Sequence, residues 1–294
     1  MCIRDRHIDI IHGHGYTFQD DVTTVHFLRK AFIQQLKKFR DITYFRNKLP
    51  RIETWLERKL LNSSKHLIAV SSMIKRDLMK SYGINSEKIS IVHNGVNIRE
   101  FSPSNKRERK YIRLEYGFEE EAICILFVGG KSYERKGLQF ILRAMQFIPK
   151  DIYLFVIGGG YEKYKRLIEK LGIVDRVVFI PYINDIRQAY AITDIFILPT
   201  IYDPFPLAAL EAMASGLPII ISSLAGTIDI LRDGINGIIL EDPSDIKHLA
   251  ELITVLVDDH KLREKIGTNA RLTAEKLSWE NVAREVVKVY EEVA

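Results

Sequence analysis

From residue 123 onward, short apolar runs alternate with amphipathic stretches at spacings that fit strand, crossover helix and next strand of a parallel sheet. Residues 123–128 read as a buried strand and 137–147 as a helix. A strand at 153–157 ends in Gly158, Gly159 and Gly160, and a helix follows near 163–171. A strand at 177–180, a helix at 186–191, a strand at 195–198, a helix over 207–214 and strands at 218–222 and 237–240 complete the series. This predicts an α/β fold with a doubly wound, nucleotide-type domain, in which ligands bind beyond the carboxyl ends of the strands.

The first hundred residues repeat the alternation less completely. Strands are expected at 9–12, 22–25, 67–70 and 89–92, with a helix over 72–81 capped by Ser71. The polar run 101–110 has linker composition, which places a domain boundary there. The expected division is 1–100, a partial Rossmann-like domain on the acceptor side; 101–278, a donor-side domain; and 279–294, a packing helix. In that helix Val282, Val286, Val289 and Val293 recur at spacings of four, three and four. A length of 294 residues suits two domains, each able to bury its own core.

With 47% apolar and 28% charged residues, disorder and collagen-like repeats are excluded. The apolar stretches 122–128 and 217–221 fall short of the roughly 18–20 residues that cross a bilayer, and no short apolar segment opens the chain. Cys2 and Cys124 form no disulfide framework, so a reducing, cytoplasmic setting is expected, with Cys124 a small buried hydrophobe.

Charge is unevenly divided. Residues 1–100 hold 18 basic and 10 acidic residues, a balance of +8, which leaves 25 and 28, or −3, for the remainder. Between Arg29 and Lys59 ten basic residues face Asp41, Glu53 and Glu57, interleaved with Phe32, Phe39, Tyr44, Phe45 and Trp55. Such a segment suits an anionic membrane surface, each basic residue contributing about 1 kcal/mol near it. A solvated helix face or an RNA-like footprint is the alternative, but no RNA-binding motif accompanies the charge, and no nucleic-acid partner is expected.

The strongest constellation for chemistry runs from Asp203 through Phe205, Pro206 and Leu207 to Glu211, directly after the strand at 195–198. Proline keeps the preceding residue extended and suits a first helical turn, so Asp203 lies at a helix entrance and Glu211 farther inside. Two carboxylates there can grip different parts of one ligand, with the unbonded amides of the helix start offering a phosphate site between them. A helix start and helix surface without a ligand is the plainer alternative. At the end of the strand at 123–128, Gly129, Gly130, Lys131, Ser132, Tyr133, Glu134, Arg135 and Lys136 form a turn and a basic cluster. Cations at that edge can neutralise a diphosphate leaving group without a metal, unless the run is simply solvated. His12 and His14 share a strand face, but no third ligand stands at metal-binding spacing, so no metal is expected.

These pieces together resemble the retaining nucleotide-sugar glycosyltransferases of the GT-B fold, family 4. The matching residues are Val70-Ser71-Ser72; His93 to Asn97 leading to Phe101-Ser102-Pro103; Phe127-Val128-Gly129 with Arg135-Lys136-Gly137; Ile157 to Gly160; Thr193-Asp194 to Pro199; the block from Asp203 to Glu211 with Gly216-Leu217-Pro218; and Asp233-Gly234 to Gly237. They stand in family order and cover residues 67–290. The earlier stretch from Asp9 to Gly15, with the basic aromatic segment, looks most like the branch that adds a hexose to lipopolysaccharide core.

The resemblance implies a UDP-sugar or similar donor, a glycan or lipid-linked acceptor and no resident cofactor. It also implies a cytoplasmic enzyme peripheral on the inner membrane face. Lys136 would contact the donor diphosphate with Arg135 as helper, and Glu211 would bind the ribose hydroxyls. Asp203 stands where the family has the first of its paired Glu residues, and Pro206 where it has Gly, so phosphate contacts pass to Leu207 or Ala208. Gly129, Gly130, Gly158 and Phe205 would frame the donor. Gly130 replaces a family Arg, for which Lys131 or Arg135 would substitute. His26 falls where the family places an active-site His near the donor sugar. Gly226-Thr227-Ile228-Asp229 resembles the family's Gly-rich turn near the donor. The N-terminal domain reads as short by several strands, so a nucleotide-sugar-binding or scaffold protein with impaired turnover is the other expectation.

Overall fold

The computed structural model describes residues 9–15, 20–39, 51–115, 121–130 and 132–294, which form two separate parallel sheets. The first holds β1 (His12–Gly13), β2 (Val22–Val25), β3 (His66–Ala69) and β4 (Ile89–Ile91), paired in that order. His12 lies opposite Val22, Val22 opposite His66, and Leu67 opposite Ile89. The β2–β3 crossover carries α1 (Arg29–Leu36) and α2 (Arg51–Ser63). α2 is anchored from beneath by Glu57, a buried carboxylate that accepts from the Arg29 amide at 3.1 Å and from the Tyr82 hydroxyl. The β3–β4 crossover is α3 (Ser72–Asp77), whose Ile74 amide donates to the Ser71 hydroxyl at 3.3 Å, the cap expected from sequence.

The second sheet follows α4 (Arg109–Glu115). Its elements are β5 (Ile123–Val128), α5 (Tyr133–Lys136), α6 (Leu138–Ala144), β6 (Ile152–Ile157), α7 (Tyr161–Leu171), β7 (Val177–Ile180), α8 (Ile186–Ile192), β8 (Ile195–Leu198), α9 (Leu207–Ala214), β9 (Ile219–Ser222), β10 (Ile238–Leu240), α10 (Ile246–Asp258) and α11 (His260–Glu275). The strand order is β10-β9-β8-β5-β6-β7, all parallel. The residues of β8 and β9 are wholly buried, as in a sheet covered on both faces. The chain runs outward from β5 through β6 to β7 and then returns to β8 on the other side of β5. The β5–β8 junction is therefore a topological switch point, where a crevice opens beyond the carboxyl ends of the strands.

The helix expected over 137–147 is α6, and the basic cluster before it, read as a turn, forms the short helix α5, with Gly137 between them at φ +87°. A Cβ at this glycine would stand 2.0 Å from the Pro199 carbonyl oxygen, so only glycine lets the β5 and β8 loops approach. Two further helices, α10 and α11, start at Asp245 and Asp259, whose carboxylates accept from the His248 and Leu262 amides at 3.0 and 2.9 Å.

The last helix, α12 (Trp279–Val293), belongs to the first sheet's unit. Its Val282 and Val289 are buried with Val22, Ile68 and Val92, and Val286 and Val293 pack against the same cluster, so the apolar stripe read from sequence has a defined partner. The chain divides into residues up to Gly95 with Trp279–Ala294, and Val96–Ser278. The boundary therefore falls before Val96 rather than at residue 101, and the C-terminal helix is integral to the first unit. Val96 lies in the second unit because it bridges Ser278 and donates its amide to Leu277 O at 2.9 Å, while Arg271 binds the Ile98 and Phe101 carbonyls. No helix of the described residues is long and apolar enough to cross a membrane.

Candidate functional site

At the switch point of the second unit, the β5 strand passes into Gly129, whose amide donates to Ile157 O at 3.0 Å, and then Gly130 at φ +60°. The turn leads into α5, which carries Arg135 and Lys136. Lys131 lies outside the described residues. Gly158, at the end of β6, has φ +124°, and a Cβ there would meet the Tyr133 hydroxyl at 2.7 Å and Gly130 O at 2.8 Å. The glycines of the two turns thus leave room for the buried Tyr133 ring between them. That tyrosine escaped the sequence reading. Its signal was the pair of glycine turns, which need a bulky neighbour to explain them. Burial pushes its hydroxyl up to about 12.

Across the crevice, the β8 loop is tied back to α5. Ile201 N and the Thr200 hydroxyl both donate to Arg135 O at 2.9 Å, and the Arg135 guanidinium donates to Tyr202 O at 2.7 Å. The same guanidinium pairs with Asp203 at 3.0 Å. Asp203 is buried, bridges Ala225, and accepts from Gly226 N at 2.8 Å through its carbonyl. The structure therefore gives Asp203 and Arg135 to each other, and the pair fixes the loop that enters α9. Phe205 is buried beneath this entrance. Pro206 is the extended residue before the helix, with ψ 115°, so α9 begins one residue later, at Leu207. Ala209 N and Leu210 N both turn back to Pro206 O, and the preceding amides of Leu207 and Ala208 have no acceptor within the helix. Leu207 is exposed.

Lys136 donates to Val128 O at 3.1 Å. Burial pulls its ammonium below the usual lysine range and Arg135 adds to the effect, while Asp203 and Glu211 oppose it. One amine therefore lies in the field of both carboxylates, at the same crevice as the α9 start. Glu211 accepts from the Tyr190 hydroxyl at 2.6 Å. Desolvation raises the Glu211 carboxyl above its ordinary value, partly offset by the Tyr190 hydrogen bond and by Lys136. Tyr190, wholly buried on α8, orients that carboxylate and was not visible in the sequence, where the two stand 21 residues apart.

His26 lies in the first unit, just beyond β2. Its Nε2 stands 3.1 Å from His14 Nδ1, and His14 stacks on His12 at 4.5 Å between ring centres. His12 bridges the Tyr290 hydroxyl at 2.6 Å and the Thr24 hydroxyl at 2.8 Å, tying β1 to α12 and β2. Burial, reinforced by His14, holds both His12 and His26 below the usual imidazole range, Asp20 acting oppositely on His12. Among the described residues no group of three or more His, Cys, Asp or Glu is placed to hold a metal. The unfolded chain binds protons more readily than these two rings in the folded state, so stability falls as pH drops through the ordinary imidazole value. We expect the urea midpoint, followed by tryptophan fluorescence, to fall between about pH 7.5 and 5.5 and the His12→Gln protein to show a smaller fall. A wild-type midpoint constant across that range would refute this.

Residues 108–273 match the family model for glycosyl transferases group 1, and residues 1–100 match that for Glycosyltransferase Family 4. An uncharacterized glycosyltransferase of Methanocaldococcus jannaschii, MJ1607, is 32% identical over 235 residues, 77% of this chain and 60% of that protein. The structure of WaaG, a glycosyltransferase involved in lipopolysaccharide biosynthesis, superposes with a TM-score of 0.81 at 22% identity over 98% of this chain and 79% of that one. The structure of Alr3699/HepE from Anabaena in complex with UDP-glucose gives a TM-score of 0.74 at 20% identity over 93% of this chain and 79% of that one. The chain spans about 60% of the length of the first curated relatives it matches. With two parallel α/β sheets of GT-B type and more than half its residues inside the first of those family models, the chain belongs to the group 1 glycosyl transferases.

Proposed function

We propose that this chain carries the donor half of an enzyme that moves a hexose from a nucleotide diphosphate sugar to an acceptor hydroxyl with retention of configuration and without a metal. One observation carries the reading: the helix bearing Arg135 and Lys136 is held at the switch point to the loop that enters α9, Arg135 pairing with Asp203 at 3.0 Å and its carbonyl accepting from Ile201 N and the Thr200 hydroxyl at 2.9 Å. The donor diphosphate would lie against the Lys136 ammonium and the Leu207 and Ala208 amides, where charge develops as the glycosidic bond breaks. Glu211, an acceptor-only carboxylate when ionised, would take the ribose hydroxyls, with Tyr190 holding its orientation. Asp203 is committed to Arg135 and would orient the sugar rather than attack it. Retention then proceeds by front-face attack, the leaving phosphate taking the acceptor proton. The UDP-glucose bound by the Anabaena structure supports this donor class.

Assaying a panel of nucleotide diphosphate sugars for saturable binding and slow hydrolysis tests this without knowledge of the acceptor. One donor should bind and be hydrolysed. Binding without turnover selects the scaffold alternative, and no binding across the panel removes the reading.

Glu211→Gln separates site from fold. A carboxyl raised in the folded state gives stability that is present below its unfolded value and lost as pH rises through the folded one. Glu211→Gln should therefore be more stable than the wild type at neutral pH, with the difference vanishing near about pH 4, and should bind the donor roughly tenfold more weakly. A less stable variant at neutral pH would contradict this.

The acceptor side would meet an anionic membrane through residues 29–59, of which 40–50 lie outside the described residues. On α2, Trp55 is 56% and Leu56 39% exposed, and Lys59 stands over the Trp55 ring at 4.2 Å. This apolar pair beside exposed Arg58 and Lys59 has the make-up of an interfacial helix. Co-sedimentation with anionic vesicles should exceed that with neutral vesicles and fall in Trp55→Ser; equal binding to both removes the membrane contact.

A further inference from the structure

The amino-terminal edge of the second sheet, opposite the donor crevice, holds a hollow of about 560 Å³ between the 3-10 turn Pro103–Glu108 and the first turns of α11. Asp194 and Pro218, which precede β8 and β9, form its floor. Its charges are unevenly matched. The Asp194 carboxylate is fully engaged, with Arg109 at 2.5 Å, Arg113 at 2.7 Å and the Cys124 amide at 2.9 Å. Arg271 is spent on Glu275 and on the carbonyls of Ile98, Phe101 and Ala214. Arg263 donates to the Leu256 and Val257 carbonyls, both at 2.6 Å, but has no carboxylate partner among the described residues. His260 pairs loosely with Glu264 at 3.7 Å. The Lys106 ammonium, on the opposite wall, makes no hydrogen bond or ion pair among the described residues, although the residue is partly buried.

We propose that this hollow is a second binding site, separate from the donor crevice, for the phosphate group of a small soluble molecule, with Lys106 as its main cation and Arg263 and His260 completing the cradle. A half-buried ammonium without an anion is costly, and a bound phosphate oxygen would supply the missing partner. Burial, with Arg109 and Arg113 nearby, pulls the Lys106 ammonium below its usual range, and Asp194 and Glu264 only partly oppose this. The amino end of α11, a helix of 16 residues, adds favourable potential for an anion beside His260 and Arg263. The volume admits a phosphorylated metabolite rather than a bare ion alone.

Titration of inorganic phosphate at constant ionic strength tests it, in the wild type, Lys136→Ala and Lys106→Met. Saturable binding should persist in Lys136→Ala and with UDP present, and weaken roughly tenfold or more in Lys106→Met. In phosphate-free buffer Lys106→Met should melt at a higher temperature than the wild type, because an unpaired charge has been removed, and phosphate should no longer raise its melting temperature. Absence of saturable binding overturns the proposal. So does binding that survives in Lys106→Met but is lost in Lys136→Ala, which would place the phosphate in the donor crevice. A lower melting temperature for Lys106→Met overturns it too, by showing that the ammonium has a partner in the fold.

Discussion

Replacing Lys136 by alanine is expected to lower donor turnover by roughly 10²–10³-fold while leaving the chain folded, the cost of removing one cation from charge that develops in the transition state. The geometry sets both halves of the expectation. Among the described residues the Lys136 ammonium makes one hydrogen bond, to Val128 O, and that carbonyl ends a strand and can turn to solvent or water. Its electrostatic partners are the two carboxylates of the crevice. Without the amine, Glu211 loses one of the two influences that hold its carboxyl down, and desolvation, already the larger effect, raises it further. The donor then meets a crevice with less positive charge and with a ribose acceptor that ionises less readily. The acid limb of donor binding should shift to higher pH in Lys136→Ala, and Lys136→Arg should restore affinity more than turnover, since a guanidinium has a different reach and fork. The measurement is kcat/KM for donor hydrolysis with a melting temperature for each variant. A Lys136→Ala rate within twofold of the wild type, at unchanged melting temperature, would mean the donor lies elsewhere.

Much of this site could be read in the sequence because its parts are local. The strand, glycine turn and basic cluster at 123–137 are contiguous, and so is the stretch from Asp203 to Glu211. Parallel-sheet topology then brings both to one edge by rule rather than by detail. The short helix α5 also had a local signal, since Arg135 and Lys136 followed by glycine is a helix end, but the basic cluster reads as a turn leading into the helix at 137. What could not be read depends on contacts between distant residues. Tyr190 reaches Glu211 across 21 positions, and Asp203 meets Arg135 across a loop pairing that no spacing announces. The apolar stripe of α12 was plain, yet a stripe does not say which sheet it covers, and the helix returns to the first unit. The histidines show the same limit. Period two put His12 and His14 on one face, but their partners, Tyr290 and His26, come from other elements.

The largest loss of stability is expected at the far edge of the sheet, on substitution of Asp194 by alanine. Arg113 is 1% exposed and cannot reach water. Its guanidinium donates to Ile192 O at 2.9 Å, Ala122 O at 2.7 Å and the Asp194 carboxylate at 2.7 Å, while Arg109 shares the same acid. Removing one partner of a buried ion pair leaves an uncompensated charge and typically costs about 3–5 kcal/mol. The Cys124 amide, at the head of β5, loses its acceptor in the same step. Against a total stability of roughly 5–15 kcal/mol for a domain, this would leave the second unit marginal. The loss should appear as a lower urea midpoint, and Asp194→Asn should be milder, because an amide oxygen can still serve Arg113 and Cys124 N. Asp194 opens β8, whose far end delivers Asp203 and the start of α9. Donor binding in Asp194→Ala should therefore fail only as the unit unfolds and recover where stabilising solutes restore the fold, whereas Lys136→Ala loses turnover while folded. If Asp194→Ala kept the wild-type urea midpoint, Arg113 would have to be balanced by another group, and the knot beneath β5 and β8 would not be what holds the strand ends of the crevice together.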